Sequence, residues 1–375
     1  MDINIQALSG RSDLMKFIKS EWNFYKDDKY WVPPLILDRV KTLDIKKNPF
    51  FKHSIMQLFL AVRNEEIVGR IAAIINDNHN KTHNDRVGFF GFFECIDDQE
   101  VADKLFDTAA QWISDRGMDT LRGPLNPSMN DVPAMLYEGF DSIPQIMMPY
   151  NQKYHIKLYE NHGFEKAQDL FGYYLDQNKY MTDKLKRMQE IVRKRYDITV
   201  RDVNLKDKDQ FKKDLQTLKD IYNAAWVPNW GFVKWTDEEF DFLAEDMKQT
   251  ADPNLAFIVE SKGKPAGFAF GLPNLNQIIY YNRSGRLLPF LWHYLTKKKK
   301  MSWMRILALG IIPEFHQKGI DAIMYYEIGT RSISKGWVHG DASWLLESNV
   351  MINRALVQVL NGELYKKFRI WEKKI

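Results

Sequence analysis

The stretch LFLAVRNEEIVGRIAAI (residues 58–74) has a second version later in the chain, AFIVESKGKPAGFAFGL (residues 256–272). Each consists of an apolar run, a polar turn and a second run that contains a glycine and small residues, which is the pattern of a β-hairpin. The glycines at equivalent places, Gly69 and Gly267, are 267 − 69 = 198 positions apart. The chain therefore contains one hairpin design twice.

Three more pairs recur in the same order at nearly the same spacing. The tripeptide WVP begins at positions 31 and 226, an asparagine opens a helical stretch at 151 and 349, and a glycine follows it at 163 and 362. Their separations are 226 − 31 = 195, 349 − 151 = 198 and 362 − 163 = 199 positions. Because four ordered pairs at one spacing are hard to obtain by chance, we predict the duplication of a whole domain.

The length of 375 residues is also that of about two domains. We predict domains at 1–177 and 198–375, joined by a helix at 178–197 with Thr182 as its cap. The basic side chains of that helix favour a solvated face, with an acidic partner as the alternative.

The composition, with 45% hydrophobic and 27% charged residues, is that of a globular protein. The formal charge of +4 is too small to indicate nucleic acid. A single cysteine, Cys95, excludes disulfides within the chain and cysteine-built zinc sites, and the eight histidines are scattered, with DNHNKTH (77–83) resembling a loop. No apolar stretch is long enough to span a bilayer, and the N-terminus lacks a signal-peptide core. We expect a cytoplasmic protein without metal, nucleic-acid or membrane partners.

Strands and helices interleave in both halves, which predicts an α/β fold with a mixed sheet covered by helices on both faces. In the second half, the fourth strand (304–312) precedes HQKGIDA (316–322), a basic turn with a central glycine that opens a helix. The fifth strand (341–346) runs into the sequence LESN (346–349). A glycine turn between a strand and a helix is a common place for bound phosphate.

This order of elements and these motifs resemble the GNAT superfamily of acyl-CoA-dependent acyltransferases, over nearly the whole chain, as two GNAT-like domains in tandem. In that superfamily the pantetheine arm lies between the splayed fourth and fifth strands. The pyrophosphate rests on backbone amides of a loop with the pattern Q/R-x-x-G-x-G/A. The resemblance places the coenzyme on Gly310, Ile311, Ile312, His316, Gln317, Lys318, Gly319, Ile320, Asp321, Ala322 and Asn349.

Two residues of the loop depart from the family pattern. His316 replaces glutamine or arginine, and Asp321 replaces a small residue. A carboxylate at 321 would repel a diphosphate or cap the amides that the diphosphate would use, unless its side chain points away. A capped turn without a ligand is therefore the alternative to a coenzyme loop.

The two halves keep different parts of the family's machinery. In the second half Leu356 stands where the family often has a tyrosine that protonates the leaving thiolate, and leucine cannot do so. In the first half HIKLYENHGFEK (155–166) supplies that tyrosine as Tyr159, but the acidic sequence CIDDQEVADKLF (95–106) has no glycine turn. We therefore place the coenzyme in the second half, and Tyr159 is either an acid or a packed core residue.

Other candidate residues are weaker. Glu94, on an apolar strand face, and Glu347, at a strand end, are candidate bases or ordinary strand-end or ion-paired carboxylates. Candidate acceptor-binding residues are Trp226, Trp230 and Phe232, with core packing as the alternative, and Asn130 and Tyr150 in the long loop 123–151, with a packing seam as the alternative. The insertion 284–303 ends in four lysines and is read as an ordinary helix with a basic end, with an anionic membrane or RNA as alternatives.

The resemblance implies an N-acyltransferase that uses acyl-CoA, in the first place acetyl-CoA, on a small-molecule or peptide amine by direct attack. A non-catalytic acyl-CoA sensor or scaffold is the alternative, motivated by Asp321 and Leu356. A weaker alternative is transfer from aminoacyl-tRNA. The sequence leaves the acceptor and the oligomeric state open.

Overall fold

The computed structural model describes Asp2–Ile375, except for the side chains of residues 246, 248 and 249. It divides into two compact units. Unit 1 contains the chain up to Leu170 together with Asn276–Lys298 and Lys366–Ile375. Unit 2 contains Phe171–Leu275 and Lys299–Tyr365.

Unit 1 is a mixed sheet with helices packed against it. Its strands are β1 (Asn4–Ala7), β2 (Ser54–Arg63), β3 (Glu66–Asn76), β4 (Val87–Cys95), β5 (Thr120–Gly123), β6 (Leu125–Asn126), β7 (Val132–Pro133), β8 (Met135–Glu138) and most of the last strand of the chain, Glu363–Lys374. Its helices are α1 (Gly10–Phe24), α2 (Ile36–Thr42), α3 (Asp77–His83), α4 (Gln99–Ser114), α5 (His155–Asn161) and two from the second half of the sequence, Asn276–Ile279 and Leu287–Lys297.

Unit 2 repeats this plan. Its strands are β9 (Glu165–Asp176, from Phe171 onward), β10 (Ile198–Asp202), β11 (Ala256–Ser261), β12 (Lys264–Pro273), β13 (Trp303–Ile311) and β14 (His339–Leu346). Its helices are α6 (Gln177–Tyr180), α7 (Asp183–Tyr196), α8 (Lys208–Trp226), α9 (Asp237–Thr250), α12 (Ile320–Ser334) and α13 (Val350–Gln358). The two inserted helices of unit 1 are α10 (Asn276–Ile279) and α11 (Leu287–Lys297), and the last strand is β15 (Glu363–Lys374).

The strand order is the same in both units up to the last position. Unit 1 has the order β1-β2-β3-β4-β5-β15, and unit 2 has β10-β11-β12-β13-β14-β9. The fourth and fifth strands are parallel in each unit, and the pairs before them are antiparallel. The predicted mixed α/β fold with a repeated domain is confirmed.

Both hairpins predicted from the sequence close with the same kind of turn. The two central residues of each turn have positive φ angles, 52° and 66° at Asn64 and Glu65, and 52° and 72° at Lys262 and Gly263. Turns with two positive φ angles match the twist of adjacent antiparallel strands.

The repeated hairpin glycines have a packing role. A Cβ atom at Gly69 would lie 2.6 Å from Leu105 of α4, and one at Gly267 would lie 2.4 Å from Met324 of α12. In each unit a helix therefore approaches the third strand too closely for any side chain at this position.

Three local predictions differ from the structure. Residues 77–83 form the helix α3, because the Asn76 side chain accepts from the His79 N–H at 3.1 Å and caps it. The long loop 123–151 contains β6, β7 and β8. The predicted linker helix at 178–197 is α7 of unit 2, which packs against α12, buries Leu185 and Val192 and is capped by Thr182 as predicted.

The unit boundaries also differ from the predicted domains 1–177 and 198–375. β15, at the end of the chain, pairs antiparallel with β5 and β8 and so belongs largely to unit 1. β9 ends the first half of the sequence, and its later part lies beside β14 in unit 2. The two halves have thus exchanged their last strands.

Candidate active site

The candidate site begins where β13 and β14 separate. The two strands are paired in parallel from Trp303 opposite His339 to Ile306 opposite Ala342, and the pairing stops there. Beyond that point Leu307, Ala308 and Leu309 are only half-buried. The fourth and fifth strands of unit 2 therefore separate beyond Ile306 and Ala342, and we call the place where they separate the cleft.

A buried arginine marks the base of this cleft. The Arg305 guanidinium donates to the backbone oxygen of Ser343 at 3.1 and 2.9 Å, and its Nε lies 3.7 Å from Asp341. Burial lowers the pKa of Arg305 to about 10, and Asp341 opposes this change. Our reading of the sequence missed this residue, although an arginine inside an otherwise apolar strand is a visible signal.

The turn between β13 and α12 has an unusual backbone. Gln317 and Gly319 have positive φ angles of 60° and 76°, with Lys318 between them. In the described part of the chain, the backbone N–H groups of Gln317, Lys318, Gly319 and Ile320 donate to no protein acceptor, and no side chain caps α12. Successive free N–H groups in such a turn at a helix N-terminus form an anion-binding concavity.

Asp321 lies at the end of the turn that is predicted to bind the phosphates. Burial raises the pKa of the Asp321 carboxyl, and the nearby N–H groups of Ala322 and of Asp321 itself oppose this change. The Ala322 N–H also lies 3.1 Å from the Gly319 carbonyl oxygen. The predicted set of amides from Gln317 to Ala322 is thus reduced to the four from Gln317 to Ile320.

The other predicted coenzyme residues lie around this turn or on its strands. The His316 ring nitrogen Nε2 lies 3.0 Å from the Ile311 carbonyl oxygen, and the Lys318 ammonium lies 4.5 Å from the Phe315 ring centre. Ile312 donates its N–H to Ala266 rather than to the cleft. Asn349 caps α13, accepting from the Ile352 N–H at 3.4 Å, so its side chain has a structural partner.

An aromatic group lies against the strand at Gly310. A Cβ atom there would be 2.4 Å from the ring of Trp226, which stacks on Tyr222 at 4.3 Å. Phe232 is buried beside Tyr222, and Trp226 itself is half-exposed. The structure thus brings Trp226 and Phe232 together next to the predicted coenzyme residue Gly310, and Trp230 follows in the same half-buried segment.

The end of β14 supplies no obvious proton donor. Glu347 is half-buried at the strand end, and its carbonyl oxygen accepts from the Asn353 side chain at 3.3 Å. Leu356, in the place of the family tyrosine, is buried in α13.

The corresponding place in unit 1 is filled. All nine residues of β4 are buried, and a Cβ atom at Gly91 would lie 1.8 Å from the Leu125 carbonyl oxygen. The Phe92 N–H donates to the Asn126 side chain at 2.6 Å. Asp98 accepts from the N–H groups of Glu100 and Val101 and caps α4. Unit 1 therefore has neither an open cleft at this position nor a free helix N-terminus.

The predicted catalytic residues of the first half lie in this filled region. Tyr159 is 1% exposed, among Phe90, Phe93 and Phe106, and burial raises the pKa of its hydroxyl well above its usual value. Of the two alternatives for Tyr159, a proton donor or a packed core residue, its surroundings match the packed core residue.

Glu94 is also buried, and its Oε2 accepts from the Tyr25 hydroxyl at 2.7 Å. Burial raises the pKa of Glu94 to about 8, while Arg70, with Nη2 at 3.8 Å from Oε1, lowers it. The Arg70 guanidinium pairs at 2.8 Å with Glu21 instead.

The two candidates from the long loop belong to unit 1. The Tyr150 hydroxyl donates to the Asp28 carboxylate at 3.0 Å, and the Asn130 N–H donates to the Ser128 side chain at 3.2 Å. Both contacts hold loop segments in place.

Comparison with known proteins gives two relatives that match almost end to end. The chain is 33% identical over 386 residues to the bacterial ceramide synthase of Caulobacter vibrioides, covering 99% of this chain and 97% of that one. It is 31% identical over 379 residues to Protein YghO of Escherichia coli strain K12, covering 99% and 95%. The chain belongs to their family.

A solved structure shares the fold of this chain. A tandem GNAT protein from the clavulanic acid biosynthesis pathway covers 100% of this chain and 98% of its own, with a TM-score of 0.58 at 10% identity. The predicted tandem GNAT resemblance is thus confirmed at the level of the fold. No model of a known protein family matches the chain.

Two further features are absent from the described residues. Among the described side chains of residues 2–375, no group of three or more His, Cys, Asp or Glu is placed to hold a metal ion. Within the same range, no helix is long and apolar enough to cross a membrane.

Proposed function

We propose that the protein is an N-acyltransferase that binds acyl-CoA in unit 2. The observation that carries this proposal is the turn Gln317–Ile320, whose four free N–H groups stand at the N-terminus of α12 beside the cleft between β13 and β14. This arrangement matches a diphosphate in charge and hydrogen bonding, since free amides and the positive helix end both attract anions. GNAT-fold acyltransferases of the same tandem architecture support the assignment.

Each part of the site has a separate task in this proposal. The backbone amides from Gln317 to Ile320 hold the coenzyme phosphates, and the open edges of β13 and β14 take the pantetheine arm. Bound acyl-CoA supplies an activated acyl group for an amine. Trp226 beside Gly310 shields the reacting end from water, which strengthens polar interactions there.

We further propose that the acyl group is long and that the acceptor is a lipid amine. The support comes from the relative at 33% identity over nearly the whole chain, whose name refers to ceramide. A ceramide is the amide of a fatty acid with a long-chain amino alcohol. Acetyl-CoA was our sequence-based choice, but it rested on the fold resemblance, which does not determine the length of the acyl chain.

The test is a transfer assay on the full chain with palmitoyl-CoA or acetyl-CoA and a long-chain amino alcohol. The release of free thiol is measured by a colour reaction. The only thiol of the protein, Cys95, is buried and has a raised pKa, so the protein itself contributes little to the signal. We expect thiol release with palmitoyl-CoA that depends on the amine, with the amide product identified by mass. Coenzyme binding without thiol release from any acyl-CoA would leave the non-catalytic sensor, which the buried Leu356 favours, as the better description.

A further inference from the structure

One helix of unit 1 exposes its apolar side. In α11, Leu288 is 78% exposed, Trp292 67% and Leu295 68%, and Leu291 between them is 43% exposed. These positions follow the spacing i, i+3, i+4, i+7, so they form one ridge along the helix. We call Leu288, Leu291, Trp292 and Leu295 the apolar ridge.

The opposite side of α11 makes the contacts that hold the helix. Phe290, His293, Tyr294 and Lys297 share that side and are half-buried. The His293 ring lies 6.0 Å from that of Tyr281, and the Lys297 ammonium lies 4.3 Å from the Tyr281 ring centre. The helix thus has a mixed face against the protein and an apolar face exposed to solvent.

The base of the insertion is fixed to unit 1 by polar contacts. The Trp22 indole donates to the Arg283 carbonyl oxygen at 2.7 Å, and the Arg283 guanidinium donates to the Trp31 carbonyl oxygen at 2.8 Å. The Ile36 N–H donates to the Gly285 carbonyl oxygen at 2.9 Å, which joins the start of α2 to the start of α11. These contacts hold the apolar ridge in a defined place.

The charge around the ridge is positive. Lys297 and Lys298 end the helix, Lys299 and Lys300 follow in the chain, and no acidic residue occurs between Glu260 and Glu314. Lysines next to an exposed ridge of leucines and a tryptophan complement an anionic bilayer surface, where apolar side chains enter the acyl region and ammonium groups meet the headgroups.

We propose that α11 is a membrane-surface helix that docks unit 1 on an anionic lipid bilayer. The apolar ridge enters the interface and Lys298, Lys299 and Lys300 contact the anionic headgroups. This proposal departs from the sequence-based expectation of an ordinary helix without a membrane partner. It does not depend on acyl transfer, since binding to lipid is measured by itself.

The test is flotation of the full chain with vesicles. One set is made of equal parts of phosphatidylglycerol and phosphatidylcholine, and the other of phosphatidylcholine alone. We expect the protein to float with the anionic vesicles, at least about tenfold more strongly than with the neutral ones, because each lysine near an anionic surface adds attraction. A protein that floats with neither set overturns the proposal.

Three variants separate the contributions. Leu288→Ser with Trp292→Ser and Leu295→Ser should weaken binding by roughly a hundredfold, since three large apolar groups no longer leave water. Lys298→Gln with Lys299→Gln and Lys300→Gln should weaken binding to the anionic set by about tenfold or more and leave the neutral set unchanged. The control is Ile191→Ser, an equally exposed apolar residue at 64% on α7, which should bind as the parent does.

Other occupants of the ridge would give distinct results. If the serine variant turns a dimer into a monomer while vesicle binding is absent, the ridge is an interface between two copies and the lipid proposal is wrong. If the parent binds a mixed RNA sample but not vesicles, and the glutamine variant no longer binds the RNA, the lysines bind RNA and the lipid proposal is wrong. Equal loss of vesicle binding in the Ile191→Ser control would also refute a specific role for α11.

Discussion

The two units share one order of strands, but they differ at the fourth strand and in the segment that follows it. In unit 1 all of β4 is buried, and Asn126 accepts from the Phe92 N–H. In unit 2 residues 307–309 of β13 are half-buried, and the strand is followed by a turn with four free N–H groups. A duplicated fold can thus keep its packing while only one copy keeps unpaired amides after its fourth strand.

The N-cap residues of the helices after the fourth strands show the same contrast. Asp98 satisfies two N–H groups of α4 with its side chain, whereas Gly319 leaves the start of α12 uncapped. The helix end that is capped is more stable and has fewer donors left for an anion. We infer that unit 1 serves as a structural companion and unit 2 as the ligand-binding copy.

The largest effect is expected from Gly319→Ala. The position has a φ of +76°, and an added Cβ would lie 3.2 Å from Val192, so the turn must change and its N–H groups lose their common direction. We expect coenzyme A binding, measured by calorimetry, to weaken by at least about a hundredfold, or roughly 3 kcal/mol.

Gly336→Ala is the matched control for this change. Gly336 has a φ of +78° with open space around the added Cβ, so it carries similar backbone strain of about 1 kcal/mol far from the turn in sequence. It should lower stability about as much and leave coenzyme binding unchanged. Equal loss of coenzyme binding in both variants would mean that the turn at Gly319 does not bind the phosphates. The proposed difference in ligand binding between the two units would then be wrong.

A second prediction concerns the buried carboxyl of unit 1. The pKa of Glu94 is raised from 4.5 to about 8 mainly by burial, so the folded state keeps a proton that the unfolded state loses. A raised carboxyl pKa means that stability is highest below the unfolded pKa and falls as the pH rises from about 5 to about 8. The pKa of Glu21 is lowered, so this residue changes the stability only below about pH 5.

Glu94→Gln tests this directly, since it keeps a neutral partner for the Tyr25 hydroxyl. Between about pH 5 and about pH 8 the parent should lose on the order of a few kcal/mol of unfolding free energy, measured by urea unfolding, and the variant should lose much less. Its acyl-transfer rate should stay within about twofold of the parent if unit 1 is structural. A large loss of rate with unchanged coenzyme binding would instead make Glu94 the base that its sequence position suggested, and both units would take part in the reaction.

The fold could be predicted from the sequence because its signals are local. The two hairpins are set by alternation and by turn residues, and Gly69 and Gly267 mark the close approach of a helix. The turn at Gly319 was found for the same reason. Pairing of β15 with β5 could not be foreseen, since residues more than two hundred positions apart form it and no local pattern specifies the partner.

The closed cleft of unit 1 and the exposed ridge of α11 were missed for a related reason. Asn126 lies in a proline-rich loop with no sequence signal that it accepts from a strand more than thirty residues earlier. In α11 apolar residues occur on both sides of the helix, so periodicity alone does not decide which side faces solvent. Packing against distant residues decides both cases.

The smallest effect on coenzyme affinity is expected from Asp321→Asn, which compares the start of α12 with the start of α4. The carboxyl lies near the N–H groups of residues 321 and 322, and its charge opposes a diphosphate on the neighbouring amides. The amide side chain has the same shape and no charge, so coenzyme A should bind about three- to tenfold more tightly by calorimetry, or ~1 kcal/mol. Asp98→Asn, the same change at the start of α4, should leave coenzyme affinity as it was, because the side chain at this position already occupies two N–H groups of that helix end. Tighter binding in the Asp98 variant alone would place the coenzyme in unit 1, and weaker binding in the Asp321 variant would show that the carboxylate orders the turn more than it repels the phosphates.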